Sequence, residues 1–156
     1  MAVKRIRKYG ADVLRKKSLS VKDISEKTIK LIQNLEDTLK KSRGVGLSAP
    51  QLGVLERVFI ANDPDTKKII KIINPEIVEI EEFEIDLEGC LSFPGVYFSI
   101  KRPAKITITG WTPRGKKIII PAKGLLARCF AHEHDHLNGT LIIDYASEEE
   151  KKHYSL

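Results

Sequence analysis

The first strong periodic pattern of apolar residues lies between residues 23 and 43. Its apolar side chains recur at helical spacing, at Ile29, Ile32, Leu35 and Leu39. Asp23 and Glu26 have the spacing of a capping box, and Gly44 suits the position just after a helix. The pattern therefore predicts a helix over about 23–43.

The middle of the chain shows short runs rich in β-branched residues, some of which alternate with period two. These runs predict five short strands, at Arg57–Ala61, Ile69–Ile73, Glu76–Ile85, Lys105–Trp111 and Lys116–Ile120. Dipeptides and clusters typical of turns separate them, at Asn62–Asp65, Asn74-Pro75, Pro94-Gly95 and Thr112–Gly115.

A second helix is predicted from about Gly124 to Leu137, ended by Asn138-Gly139. A helix, several strands and a second helix, without strand–helix alternation, indicate an α+β fold. We expect short antiparallel or mixed strands packed around the second, C-terminal helix, with the longer helix near the N-terminus. The length of 156 residues corresponds to a single domain, 1–156.

Composition narrows the class of protein. The chain is 42% hydrophobic and 31% charged, which is typical of globular proteins and excludes a disordered or collagen-like chain. No apolar run is long enough to predict a membrane span, and the first eight residues do not resemble a signal peptide. With no export signal, Cys90 and Cys129 are expected in a reducing compartment, most simply the cytoplasm.

The net charge of +6 is unevenly distributed. Residues 1–43 carry thirteen basic and five acidic side chains, whereas residues 44–90 carry four and ten. A basic N-terminal third is compatible with nucleic acid or the ribosome surface as a partner. A solvated helix face is the alternative, and it is favoured because no aromatic residues interleave the lysines.

The second predicted helix contains an H-E-x-x-H motif, which is typical of metal-binding helices. His132 and His136 lie 40° apart around a helix and one turn apart along it, so both rings can bind one metal ion. Glu133 would lie beside them as a general base for water. A histidine-rich, solvent-facing helix end is the alternative.

A catalytic metal site of this kind needs a third protein ligand. Ile142 stands where a downstream histidine would be required, so the ligand is expected upstream. Cys129 is about 10 Å along the helix axis from His136, too far for a metal–sulfur bond of about 2.3 Å. Cys90, which follows Gly89 between strand candidates, is therefore the predicted third ligand.

A third motif, Gly44–Gln51, follows the first helix directly. Its small residues suggest backbone that approaches a ligand closely, and Gln51 could donate its side-chain amide to an oxyanion. A glycine-rich turn with a surface glutamine is an equally good interpretation.

These three segments together resemble the peptide deformylase family. The family motifs G-x-G-L-[AS]-A-x-Q, E-G-C-L-S and H-E-x-D-H-L-x-G correspond to Gly44–Gln51, Glu88–Ser92 and His132–Gly139. The resemblance covers nearly the whole chain. Tyr9–Arg15 departs from the usual run near the start, and the long C-terminal helix of some members is absent or short.

The resemblance implies hydrolysis of the N-formyl group of formylmethionine on nascent bacterial or organellar polypeptides. It implies one divalent metal ion, ferrous iron first, with zinc, nickel or cobalt as alternatives. It further implies that Glu133 transfers the proton, and that Gln51 and the backbone N–H of Leu91 stabilise the oxyanion. The substrate is expected to lie near Gly44, Val45, Gly46, Leu125 and Cys129. A cytoplasmic monomer is expected, or an organellar one if a transit peptide has been removed.

The charges nearest to the motifs in the chain are those of Glu88, Arg102 and Asp135. Metal ligands are usually oriented by such outer partners. We expect Arg102 to pair with Glu88 or Asp135 and to hold the Cys90 segment against the second helix. An exposed arginine before a proline is the alternative.

Two other functions fit the same residues. A zinc peptidase that cleaves internal peptide bonds would share the H-E-x-x-H motif, but it would need a further histidine or a downstream glutamate as ligand. A binding module with structural zinc would need a fourth protein ligand, and Glu133 would then have no explanation.

Overall fold

The protein, described here by a computed structural model over residues 2–156, has an α+β fold, as expected. Three α-helices and five strands follow one another as α1 Glu26–Ser42, β1 Gly46–Ser48, β2 Val58–Asn62, β3 Ile69–Cys90, β4 Phe93–Trp111, β5 Lys117–Lys123, α2 Gly124–Leu137 and α3 Glu148–His153. Short 3₁₀ turns lie at Asp12–Arg15, Ala49–Leu52 and Ile142–Tyr145. None of the described helices has the length and apolar composition that crossing a bilayer requires.

The five strands form one antiparallel sheet in chain order, β1-β2-β3-β4-β5. Helix α2 packs against the sheet through Phe130 and its neighbours, which meet Phe59 and Ile108. Helix α1 also packs against the sheet, where Leu35 belongs to a second buried cluster that includes Leu47 of β1 and Ile60 of β2. The sheet and α2 thus bring the Glu88–Ser92 and His132–Gly139 motifs together, because β3 ends beside the helix.

The bounds of α2 are those predicted, Gly124–Leu137, but α1 begins three residues later than expected. Ser25 is the N-cap, with no side-chain cap hydrogen bond, so the predicted capping box of Asp23 and Glu26 is wrong. The chain before Ser25 is held in another way: Val21 exchanges backbone hydrogen bonds with the Asn74 side chain.

The C-terminus of α1 also differs from the prediction. Arg43, with φ of 58°, takes the left-handed position, and its N–H donates to the carbonyl of Leu39. The glycine at position 44 therefore does not serve the helix end. It leaves room for the Leu91 side chain, since a Cβ there would lie 2.7 Å from Cδ1 of Leu91.

The prediction of short strands is wrong for β3 and β4, which have 22 and 19 residues. The predicted turn at Asn74-Pro75 is an irregularity within β3, where the register shifts between Ile73 and Glu76. Asn74 tolerates its φ of 53°, and proline lacks an N–H for the ladder, so the strand bends and continues. Pro94-Gly95 likewise lies within β4, and the chain reverses between Cys90 and Phe93 instead.

Strand β2 covers only the first part of β3, as far as Ile73. Beyond that point β3 pairs with β4 on one side only. Many of the side chains on this half of β3 are acidic, and several apolar ones are exposed, at Val78, Ile80, Phe83, Ile85 and Leu87.

We expect Gly139→Ala to destabilise the protein more than Gly115→Ala. Both glycines have left-handed backbone, with φ of 76° and 80°, so each substitution should cost about 1–2 kcal/mol. A Cβ at Gly139 would in addition lie 2.6 Å from the backbone carbonyl oxygen of Arg15, whereas one at Gly115 meets nothing within 4 Å. Urea unfolding of both variants measures the difference, and equal losses would contradict it.

Candidate metal centre and cleft

Two histidines of α2 and one cysteine of β3 converge at a single point. The donor atoms of Cys90, His132 and His136 all lie within 4.8 Å of one another. Sγ of Cys90 is 3.3 Å from Nε2 of His136, and both histidines are buried. One thiolate and two imidazoles are a donor set that suits zinc, iron, cobalt or nickel.

The tautomer of His132 follows from its partner. Its Nδ1 donates to Oε2 of Glu88 over 2.6 Å, which leaves Nε2 for a metal ion. Burial lowers the pKa of His136 well below its usual value, so this ring is neutral, as a metal ligand must be. Burial would also lower the pKa of His132, but the charges of Cys90 and Glu133 outweigh it and raise that pKa, so His132 would release a proton on binding an ion. The residues present therefore fit a divalent ion.

Glu133 is fully enclosed beside the two histidines. Burial raises the pKa of its carboxyl to about 7, although the charge of His132 acts in the opposite direction. Its Oε1 has no hydrogen-bond partner among the described residues. A buried carboxyl with an uncommitted oxygen and a pKa near neutrality is suited to accept and return a proton.

Gly46 allows this carboxyl to approach the strand. A Cβ at position 46 would lie 2.6 Å from Sγ of Cys129 and 2.8 Å from Oε2 of Glu133. Any side chain at this position would therefore displace the two groups next to the candidate metal ligands. The close backbone approach suggested by the small residues of the Gly44–Gln51 motif is present here.

Gln51 is buried, which contradicts the alternative interpretation of a surface glutamine. Its Oε1 accepts hydrogen bonds from the backbone N–H and the hydroxyl of Ser48, both at 3.0 Å. Because a backbone N–H can only donate, these bonds fix the orientation of the amide. Nε2 then faces Sγ of Cys90 at 3.7 Å and Oγ of Ser92 at 3.2 Å.

The Glu88 carboxylate accepts hydrogen bonds from two guanidinium groups, those of Arg102 and Arg128, in addition to the bond from His132. Arg102 donates from Nε to Oε1 over 3.0 Å and from Nη2 to Oε2 over 2.7 Å, and Nη1 of Arg128 adds a third bond of 3.0 Å to Oε1. Burial would raise the pKa of Glu88, but the hydrogen bonds from His132 and Arg102 outweigh it and lower the pKa to about 2.

Arg102 also reaches the helix. Its Nη1 lies 2.6 Å from Oδ2 of Asp135 and donates to the hydroxyl of Tyr145 over 3.3 Å. Both acids considered as partners in the sequence therefore bind the same guanidinium. The alternative of an exposed arginine is excluded, because Arg102 is 3% exposed.

Arg128 and Ser92 are site residues that sequence reasoning missed. Arg128 lies one helical turn before His132 and also donates to the backbone carbonyl of Ile100 over 3.0 Å. The helical spacing of four residues was the signal that could have found it. Ser92 had no comparable signal, because its contact with Gln51 depends on how the β3–β4 connection folds.

A cleft of about 620 Å³ opens beside the candidate metal ligands. Every residue expected near a substrate lines it, namely Gly44, Val45, Gly46, Leu125 and Cys129, together with Gln51, Leu91 and Glu133. Val45 and Leu125 are exposed at its rim, whereas Cys129 is buried at its floor. The cleft therefore offers an apolar floor next to the candidate metal ligands.

The profile of the polypeptide deformylase family matches residues 3–152. A peptide deformylase of Halothermothrix orenii is 46% identical over 92% of this chain and 94% of its own length. One from Carboxydothermus hydrogenoformans is 43% identical over 97% and 99%. The crystal structure of a peptide deformylase from Legionella pneumophila superposes with a TM-score of 0.94, at 38% identity, over 99% of this chain and 92% of that one.

We expect Glu88→Gln to lower the free energy of unfolding of the metal-free protein by about 3 kcal/mol at neutral pH. The folded-state pKa of about 2 lies below the ordinary 4.5, so this stabilisation is present above pH 4.5 and is lost as the pH falls towards 2. The Glu88 side chain is only 6% exposed, so solvent screens it little.

Urea unfolding of wild type and variant, measured between neutral pH and the lowest pH at which both fold, checks this expectation. The difference between them should narrow below pH 4.5. Glu81→Gln, an exposed acid of the same strand, is the control and should change stability little. A constant difference across the pH range would contradict the assignment of the low pKa to Glu88.

Proposed function

The chain belongs to the peptide deformylase family, and we propose on this basis that it hydrolyses the N-formyl group of formylmethionine on nascent polypeptides, releasing formate. The single observation that carries the proposal is the convergence of Cys90, His132 and His136 beside Glu133 at the end of a cleft.

Cys90, His132 and His136 would hold one divalent ion, ferrous iron in the first place and zinc, nickel or cobalt as alternatives. When bound, such an ion polarises a carbonyl oxygen and lowers the pKa of water towards neutrality. Three protein ligands leave a position open for chemistry, whereas a structural zinc site usually closes with a fourth. The donor cluster contains three residues, which favours catalysis.

Glu133 would accept the proton of the attacking water and deliver it to the departing nitrogen. Its burial and its pKa of about 7 in the metal-free protein suit a group that must do both. Nε2 of Gln51 and the backbone N–H of Leu91 would bind the oxygen on which negative charge develops. Gln51 is suited to this role because Ser48 already holds its amide in place.

The methionine side chain would lie against Leu125, Cys129 and Val45, with its backbone beside Gly44 and Gly46. Formyl is the smallest acyl group, so a tight pocket beside the metal ion would admit it and exclude an acetyl group. The basic residues of 1–43 would form a solvated surface that is also compatible with the ribosome as a partner, and the protein would act as a cytoplasmic monomer, or in an organelle after removal of a transit peptide.

Cys90→Ala should abolish stoichiometric metal binding, because two neutral imidazoles alone hold an ion poorly. Cys129→Ala is the matched control and should retain the metal, since its sulfur lies at the floor of the cleft and outside the cluster of donor atoms. Elemental analysis of the purified variants decides the assignment. Equal loss of metal from both would refute it.

Glu133→Gln should lower kcat/KM for deformylation by at least about 10²-fold, with the metal still bound. The substitution keeps the shape of the side chain but removes its ability to take the proton. The measurement is formate release from a formylmethionyl peptide by metal-loaded proteins under anaerobic conditions. Wild type must release formate for the proposed function to stand.

Glu149→Gln, which changes an exposed acid of α3, is the control and should leave the rate unchanged. A Glu133→Gln variant with full metal and normal turnover would show that the proton travels by another route. Cleavage of an internal peptide bond, instead of formate release, would indicate the peptidase alternative.

A further inference from the structure

The exposed charges of the cleft are all of one sign. Among the described side chains that line it, the acidic ones are Glu88 and Glu133, and both are buried. Lys8 and Arg43 line the same cleft and are exposed. The mouth of the cleft therefore presents positive charge to any chain that enters it.

Both cations belong to one continuous wall. Nζ of Lys8 donates to the backbone carbonyl of Leu91 over 3.2 Å. The Leu91 side chain packs directly on Gly44, where a Cβ would lie 2.7 Å from Cδ1. Arg43 immediately precedes Gly44. Lys8 and Arg43 thus flank the contact between Leu91 and Gly44, and Leu91 directly follows the candidate metal ligand Cys90.

Neither cation is neutralised by the described part of the chain. The ion pairs present within residues 2–156 involve other lysines and arginines, and none includes Lys8 or Arg43. By contrast, the buried Arg128 of the same cleft is bound to Glu88. The charges at the mouth are therefore available to a ligand.

The remainder of the rim is apolar and partly exposed, at Val45, Leu87, Tyr97 and Leu125. An extended peptide advances about 3.3 Å per residue and points successive side chains in opposite directions. The residues that follow the methionine would therefore leave the apolar floor and pass the rim, where the charged side chains are.

We infer that Lys8 and Arg43 give the cleft a preference for formylmethionyl peptides with acidic residues after the methionine. The inference rests on the proposed function and adds a substrate preference to it. Exposed ion pairs are weak, so the preference in kcat/KM should be about two- to fivefold over a basic peptide. It should act mainly on KM, because the charges would contact the residues that follow the methionine and not the formyl group.

The test compares three peptides with amidated C-termini: formyl-Met-Ala-Asp-Asp, formyl-Met-Ala-Asn-Asn and formyl-Met-Ala-Lys-Lys. Formate release by the metal-loaded enzyme should be fastest for the acidic peptide and slowest for the basic one. The ratio should be largest at an ionic strength of about 0.01 M and should approach one at about 1 M, where the Debye length falls to about 3 Å.

The Lys8→Glu/Arg43→Glu double variant should reverse the order of the acidic and basic peptides. Lys30→Glu is the control, because Lys30 is exposed on α1 and does not line the cleft, and it should keep the wild-type order. The ratio is measured within each protein, so a general loss of active enzyme cancels. If the double variant fails to fold, Lys8→Gln should still reduce the ratio.

Equal rates for the three peptides at low salt would overturn the inference and leave the proposed function intact. A ratio that the double variant and Lys30→Glu change equally would also overturn it, since net charge alone would then be responsible. Absence of formate from the neutral asparagine peptide would instead overturn the proposed function, and the substrate preference with it.

Discussion

The Glu88 carboxylate is the group on which the geometry of the metal centre depends. It lies near the end of β3 and accepts hydrogen bonds from β4 through Arg102 and from α2 through Arg128 and His132. One buried acid thus joins three elements. Its low pKa measures how strongly the surrounding donors favour the charged form.

This arrangement holds the site in place, but burying the Glu88 carboxylate costs free energy of desolvation, which its hydrogen-bond donors must offset. A carboxylate removed from water is stable only if its oxygens are fully bonded, and here two arginines and an imidazole provide the bonds. In return, the His132 ring is held in one tautomer and one orientation. Cys90, two residues after Glu88, is carried to the same point by the same strand.

The spacing of the candidate metal ligands was easier to predict from the sequence than the lengths of the strands. His132, Glu133 and His136 were recognisable because a helix imposes a known spacing on them, and α2 has the predicted bounds. The length of β3 could not be predicted from the sequence, because Asn74-Pro75 is typical of a turn and so divides the strand into two. The strand continues through contacts between distant segments: β4 pairs with β3 on both sides of the irregularity, and Asn74 pairs with Val21, 53 residues earlier in the chain.

Contacts between distant segments account for what was missed at the site as well. The Gln51 amide is oriented by Ser48 in its own turn, but it reaches Cys90 and Ser92 only through the folding of the β3–β4 connection. The sequence indicates that the backbone at Gly46 approaches another group closely, but it does not indicate which group. The reason for a glycine there, the side chains of Cys129 and Glu133, comes from a helix more than eighty residues later.

The half of β3 that has β4 on one side only bears on how the protein behaves in concentrated solution. An unpaired strand edge with exposed apolar side chains such as Ile85 is a template for adding the same strand of another copy. Here acidic side chains, Glu79, Glu81 and Glu84 among them, recur along that edge. Two such edges side by side would place carboxylates against carboxylates, and this repulsion opposes aggregation wherever the acids are ionised.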